Sequence, residues 1–375
     1  MKIVHIFHSY WPAIGGMENV VKALAESMAE LGHEVHVITS MNEAEGRARE
    51  EIINGVYIHR VKAVRLYDLD FMIPLEYPTK LLKESDIIQC YSQNSLFTYL
   101  MCRKAKKLGK RVSFYFLGVD YLRYHYNPLV RLVGYPYQKW ITERVVKLTD
   151  LALVTNEYDR DLLEKRHGTK AVVLPHGIEK IYLEVPNIGK YLKEKYHIEG
   201  KIIAYISRIH STKGLDIAIK AFGEVVKEVP NSILIVSGKI DDEVYLMKCL
   251  RLAKKLGIAN KVIYLGYISE KDKIALIDAS EVVVLPTKHA GENYLLLMDE
   301  VLARGKPMVI ATISPALFQR AKKFGVAVTS NYSTLPSLIV KYLKDNVVYI
   351  PRQIKLYSWD EITSKILSLW HERGF

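Results

Sequence analysis

The chain has 375 residues, 49% of them apolar and 25% charged, and a formal net charge of +12. That length exceeds one ordinary core and fits two domains, and the composition excludes a disordered or fibrous chain. No window approaches the ~18 apolar residues of a membrane span, the N-terminus lacks the apolar core and cleavage site of a signal peptide, and Cys90, Cys102 and Cys249 have neither metal-ligand nor disulfide-framework spacing.

A cytoplasmic protein with reduced thiols is therefore expected. The positive balance favours anionic partners. Basic residues are spread along the chain without forming a tail or stripe, and no nucleic-acid module is legible. Phosphate-bearing small molecules and an anionic membrane surface thus rank above nucleic acid, and no nucleic acid is expected.

Lys2–His8 reads as a first strand. It runs through Pro12-Ala13-Ile14-Gly15-Gly16 into Met17–Met28, whose apolar positions recur at helical spacing, and then into a strand at Glu34–Thr39. This is a βαβ unit with a parallel sheet expected. Gly15 and Gly16 at a strand-to-helix turn would let backbone N–H groups approach an anion, or would simply meet the turn's need for positive φ.

Further strands are read at Val56–Val61, Ile87–Cys90, Val112–Phe116, Leu151–Thr155 and Val172–Pro175. Gly118, Asp120 and Tyr121 follow Leu117 at the exit of one of them, where parallel sheets bind ligands. The stretch 121–140 interleaves aromatic and basic residues, as at a membrane interface or a sugar-stacking surface; the alternative is a partly buried connecting segment. Glu184 to Gly200, with Pro186 and Gly189, reads as a hinge.

A second α/β half begins at Lys201–Ser207. Ser207 leads into Arg208-Ile209-His210-Ser211-Thr212-Lys213-Gly214 and a helix Leu215–Val229. Strands at Ile233–Ser237 and Val262–Leu265, a helix over 270–279, a strand at Met308–Ala311, a less regular region and a terminal helix near Asp360–Glu372 complete it. Arg208 offers phosphate a planar fork and Lys213 a compact charge, so the pair could neutralise a diphosphate without a metal; no metal site is expected. Between the helix over 270–279 and the strand Met308–Ala311 lies Glu281–Pro286, a buried strand ended by proline, then Gly291-Glu292-Asn293-Tyr294-Leu295 and an apolar helix stopped by Gly305 and Pro307. Glu292 falls near the helix start and Glu300 about two turns on. Eight residues exceed two turns by only ~80°, so both carboxylates can look toward one cleft.

Taken together, Pro12–Glu18, Leu174–Glu179, Ser207–Gly214, Val262–Ser269 and Glu292–Glu300 with Ala303–Pro307 resemble, in order, the motifs of family-4-type retaining glycosyltransferases of the GT-B fold. The resemblance implies two Rossmann-like α/β domains facing across a cleft: residues 1–185 on the acceptor side, 186–355 holding a nucleotide-sugar donor, and 356–375 a helix crossing back to the N-terminal domain. It implies that Arg208 and Lys213 hold the diphosphate, that Glu300 takes the ribose hydroxyls and that Glu292 touches the transferred sugar. Gly15 and Gly16, with Ser207, would line the phosphates, backbone groups near Tyr267 and Ile268 would read the base, and Asn293, Tyr294 and Leu295 would border the sugar. Gly118, Asp120 and Tyr121 are acceptor-side candidates. No cofactor is implied beyond the donor substrate. The acceptor would be a hydroxyl of a glycan, glycolipid or small molecule; separately, the basic and aromatic stretch 121–140 suggests peripheral contact with an anionic membrane.

Three positions depart from the family pattern. Asn293, Tyr294 and Leu295 stand where glycines usually follow the first glutamate. Leu117 replaces a histidine, and Ile313-Ser314-Pro315-Ala316 replaces a Gly-Gly loop. They raise a second reading, a nucleotide-sugar-binding protein of the same fold with impaired catalysis.

Overall fold

The computed structural model of the chain describes residues 1–13, 15–42, 44, 46–66, 71–125, 127–344 and 355–375. Ile14 of the first glycine loop and Tyr126 of the aromatic stretch lie outside them. Contacts divide the chain into two compact units, one comprising Met1–Arg123, Asn127–Gly177 and Tyr357–Phe375, the other built on Ile178–Leu356.

In the first unit the strands are β1 (Lys2–Ile6), β2 (Glu34–Ser40), β3 (Glu50–Ile53), β4 (Val56–Val61), β5 (Ala63–Arg65), β6 (Met72–Pro74), β7 (Ile87–Tyr91), β8 (Val112–Phe116), β9 (Leu151–Val154) and β10 (Ala171–Val173). β5 and β6 form a separate ribbon; the rest make one sheet in the order β10-β9-β8-β7-β1-β2-β4-β3. Its pairs are parallel except β3 with β4, where Ile53 lies opposite Val56. β7 and β8 are buried at every position, as strands covered on both faces are. The helices are α1 (Gly16–Glu30), α2 (Thr79–Glu84), α3 (Leu96–Lys107), α4 (Pro128–Val146) and α5 (Glu157–His167). Ser95, Asn127 and Asn156 cap α3, α4 and α5 by accepting from backbone N–H groups of the first turn.

The second unit has strands β11 (Lys201–Ile206), β12 (Ser232–Ser237), β13 (Val262–Tyr264), β14 (Val282–Thr287), β15 (Met308–Thr312) and β16 (Ala327–Thr329). All are parallel, in the order β13-β12-β11-β14-β15-β16. Its helices are α6 (Ile181–Glu184), α7 (Gly189–Tyr196), α8 (Leu215–Glu228), α9 (Glu243–Lys255), α10 (Glu270–Ala279), α11 (Leu296–Ala303), α12 (Pro315–Lys323) and α13 (Leu335–Lys344). A last helix, α14 (Trp359–Glu372), belongs to the first unit.

Several expectations are corrected. Pro286 does not end β14: it pairs with Ala311 of β15, and the β11 side of β14 is hydrogen-bonded only as far as Val283. A residue without an N–H fits that unpaired edge. The stretch Glu184–Gly200 read as a hinge holds α7 and begins at the last residue of α6, and Arg304 donates to the carbonyls of Tyr182, Val185 and Pro186 and pairs with Asp278 at 2.7 Å. The stretch 121–140 is a short 3-10 turn, Tyr121–Tyr124, followed by most of α4. Beyond β15 the chain is regular, with α12, β16 and α13, up to residue 344.

Ser358 and Glu361 form a reciprocal capping box at the start of α14. The helix buries Trp359, Ile362, Ile366 and Trp370, and its Asp360 accepts from Ser27 of α1 at 3.0 Å. Gly177 makes this docking possible, since a Cβ there would stand 2.7 Å from the Trp359 backbone. Gly177→Ala is therefore expected to destabilise the first unit by about 1–3 kcal/mol, read as a lower thermal midpoint, whereas Gly109→Ala, with no neighbour within 4 Å, tests only the strain of its positive φ.

Candidate active site

At the C-terminal ends of β11, β12 and β14, three loops approach each other at backbone distance. Gly214, at φ +73, faces the Pro286 carbonyl, and Gly238 faces that of Ser207; a Cβ at either would overlap the oxygen. Hydrogen bonds lock the result. Lys288 N–H donates to Thr212 O at 2.7 Å, Ile209 N–H to Lys239 O at 2.8 Å, Ser207 N–H to Ser237 O at 3.0 Å, and the Tyr205 hydroxyl to Lys213 O at 3.1 Å. The Arg208–Gly214 loop is thereby fixed, and the Lys213 side chain is pressed into the protein, only 10% exposed.

A buried ammonium needs a counter-charge, and Lys213 has Glu292, itself 12% exposed, in a direct ion pair. Burial works against ionisation of Glu292; the Lys213 ammonium, with His289 and Arg208, outweighs it and holds the carboxyl below its usual range. His289 is driven to about 4 by burial and stays neutral at physiological pH. Arg208 is more exposed and pairs with Asp241 at 2.6 Å. The structure thus brings together Arg208, Lys213 and Glu292 and adds His289 and Asp241, which no sequence pattern had marked. Glu292, read near the helix start, lies in the loop before α11, four residues ahead of Leu296.

Glu300, inside α11, has different partners. Lys273 of α10 reaches it at 2.8 Å, and Glu270 also flanks that lysine at 3.6 Å. The Tyr182 hydroxyl donates to Glu270 at 2.5 Å, with the Lys273 ammonium 5.4 Å from its ring centre. Burial raises Glu300 above the usual carboxylate range and Lys273 only partly opposes this. Burial also disfavours the Lys273 charge, yet Glu300 and Glu270 hold it above its ordinary value. The two glutamates, expected to share one outlook, each face their own lysine. Lys273 sits among Glu270, Lys271 and Asp272, where it reads as part of a solvated first turn.

The bulky residues after Glu292 are folded away. The Tyr294 hydroxyl donates to Asp299 at 2.5 Å, Arg320 pairs with Asp299 at 2.6 Å, and its guanidinium lies 3.9 Å from the Tyr294 ring centre. Leu295 and Asn293 are buried, and the Ser314 hydroxyl donates to the side-chain Oδ1 of Asn293 at 3.5 Å. Ser314 also caps α12, with Pro315 in its first turn, so the segment replacing Gly-Gly starts a helix. Ser207 is held through its backbone as above. Tyr267 is 69% exposed, while Ile268 packs against the core beside Gly266.

In the first unit, Gly15 precedes α1 and the Glu18 carboxylate lies over it; Gly16 has nothing within 4 Å of its would-be Cβ. The chain's own carboxylate therefore faces the N-terminus of α1, as the helix dipole favours. Gly118, at φ +58, sits in a loop tied down on all sides: Gln93 donates to Leu117 O at 2.9 Å, Gln138 to Gly118 O at 3.0 Å, and Val119 N–H donates to Asp159 at 3.0 Å. Asp120 is buried and gripped by Arg166 at 2.7 and 3.0 Å, so it is a charge-neutralised anchor for Tyr121 and the 3-10 turn. His8, at the end of β1, is buried against the Ser95 hydroxyl at 2.8 Å and pushed down to about 3 by burial. Among the described residues, no group of three or more His, Cys, Asp or Glu is arranged to hold a metal ion.

Two α/β units, each built on a mainly parallel sheet, match the architecture of GT-B glycosyltransferases. Residues 14–180 match the profile of Glycosyltransferase Family 4 and residues 192–355 that of Glycosyl transferases group 1. The chain belongs to the family-4-type glycosyltransferases of the GT-B fold. It is 25% identical over 320 residues to an alpha-monoglucosyldiacylglycerol synthase of Streptococcus pneumoniae, covering 82% of this chain and 70% of that one. Its fold superposes on sucrose-phosphate synthase from Thermosynechococcus elongatus with a TM-score of 0.75 at 16% identity, over 99% and 98% of the two chains. Anabaena HepE, solved with UDP-glucose, gives 0.70 at 16% identity over 100% and 95%.

The opposite shifts of the two glutamates are directly measurable. In a carbon-13 carboxyl titration, Glu300 is expected to protonate above the ordinary glutamate range and Glu292 below it, so that acidification discharges Glu300 first. Lys273→Met should move the Glu300 midpoint further up and leave that of Glu292 in place; a shared shift would show that the two clusters are one.

Proposed function

We propose that this glycosyltransferase moves a sugar from a nucleoside-diphosphate donor to a hydroxyl acceptor with retention of anomeric configuration. The observation that carries this reading is the buried Lys213, held beside Arg208 on a loop at the C-terminal edge of a parallel sheet, where α/β folds bind phosphates. The complex of Anabaena HepE with UDP-glucose supports the donor class, and the relative named as a glucosyldiacylglycerol synthase supports a hydroxyl acceptor that includes lipids.

In this reading the bond between the anomeric carbon and the diphosphate oxygen breaks first, and the electron pair leaves with the diphosphate. Lys213 and Arg208 meet that developing charge with two cations and take the part a metal plays elsewhere; one such aimed contact contributes roughly 2–4 kcal/mol in the transition state. The acceptor oxygen bonds the same face of the sugar, and its proton passes to the departing phosphate. Glu292 turns its carboxylate to the cationic sugar, with neutral His289 beside it. Glu300 accepts from the vicinal ribose hydroxyls, which its two oxygens suit. Tyr294, drawn aside by Asp299 and Arg320, leaves the neighbourhood of Glu292 less obstructed than its size implies. Ser207, Tyr267 and Ile268 complete the donor side, and the first unit, with Gly15, Gly16, Gly118, Asp120 and Tyr121, serves the acceptor side. The three cysteines are buried free thiols, which supports a reducing, cytoplasmic setting.

Isothermal titration with uridine, guanosine and adenosine diphosphate sugars should identify one tight donor. Lys213→Ala and Glu300→Ala should each weaken it at least tenfold; unchanged affinity in both overturns the assignment. Turnover separates the catalytically impaired alternative, which predicts donor binding without transfer or hydrolysis across a broad acceptor panel.

A further inference from the structure

Helix α4 has two apolar faces. One packs inward through Gly134, Ile141 and Val145, with Gln138 and Thr142 hydrogen-bonded among them. The other is open: Leu129, Leu132 and Val133 are 73%, 72% and 71% exposed, and Trp140 is 44% exposed. At about 100° per residue these four fall on one stripe roughly opposite the buried one. Scattered exposed leucines are ordinary, but a continuous apolar stripe marks an interaction surface.

The borders of the stripe are cationic. By the same helical step Lys139 lies on one flank and Arg144 on the other, both exposed, and the Arg144 guanidinium stands 5.7 Å from the Trp140 ring centre. Glu143, the one carboxylate on the helix, is exposed and by the same step falls at the C-terminal end of the stripe, between the Lys139 and Arg144 flanks. The ribbon β5–β6 extends the surface: Phe71 sits 4.4 Å from Tyr137 of α4, and beside it Leu66 and Leu75 are each 60% exposed, next to exposed Arg65.

We propose that this face of α4 with the β5–β6 ribbon docks the protein on an anionic lipid bilayer. Leucine, valine and tryptophan enter the interface between headgroups and acyl chains, and lysine and arginine extend from the flanks to lipid phosphates, as interfacial helices do. A second copy of the chain fits less well, because a two-fold contact through this stripe sets Lys139 and Arg144 against cations of the same kind. The surface stands independently of any role given to Lys213 or Glu300. If the transfer reading holds as well, it brings the acceptor-side unit to a membrane where lipid-borne hydroxyls are found.

The test uses the full chain and sedimentation with vesicles of phosphatidylcholine alone or mixed with phosphatidylglycerol. Binding to the mixed vesicles at low salt is expected, at least tenfold stronger than to phosphatidylcholine and reduced by added salt. The double variant L132D/V133D should bind the mixed vesicles at least tenfold more weakly, while its circular dichroism and nucleoside-diphosphate binding match the wild type. K139Q/R144Q should lose most of the preference for the anionic lipid. The proposal is overturned by absence of binding to the mixed vesicles, by equal binding to both compositions, by an unaffected L132D/V133D variant, or by a solution dimer that this variant dissociates.

Discussion

Everything at the edge of the second sheet depends on backbone meeting backbone. Gly214 against Pro286 and Gly238 against Ser207 remove the side-chain thickness that would otherwise hold three loops apart. With that spacing the loop before α8 cannot swing outward, and its lysine is carried inside, where water no longer screens it. An ammonium in such a place must be matched, and the Glu292 carboxylate is what matches it. The pair is thus a consequence of the loop packing, which leaves both side chains largely out of water.

The same physics gives two glutamates eight residues apart opposite characters. Both are buried, which alone would favour the neutral acid. Glu292 meets a lysine, a neighbouring arginine and an imidazole, and stays ionised. Glu300 meets one lysine that it shares with Glu270, and burial prevails. Tyr182 is pushed upward by burial and by both Glu300 and Glu270, so this second cluster carries an excess of acidic groups over cations. A carboxylate so placed suits neutral hydroxyl donors better than another anion, whereas around Glu292 the cations Lys213 and Arg208 balance Glu292 and Asp241.

Much of the architecture was legible in the chain. β4 and β8 follow their β-branched and aromatic runs to the residue, and the terminal helix expected near Asp360–Glu372 is α14 within a residue. Pairings across the fold were not. Lys273 and Glu300 are 27 positions apart in sequence, and nothing in a first turn rich in charge marks the one lysine that turns inward. Tyr294 read as an obstruction because its restraint by Asp299 and Arg320 requires three separate elements to meet. Helix α4 hid for a physical reason: apolar residues on two opposite faces cancel the one-sided period by which a helix is recognised. Pro286 misled in the other direction, since proline stops a strand only where the lost N–H was needed.

The docking of α14 on α1 has a consequence for how the chain is made. The first unit is discontinuous, and its last helix emerges from the ribosome after the whole of the second unit. Until then the ground around Ser27 and Gly177 lacks the cover of Trp359, Ile362 and Trp370, while the second unit already has every strand of its sheet. Domains that fold as they are synthesised usually finish in chain order. Here the order is inverted: the unit begun first waits for α14, which is made after the second unit.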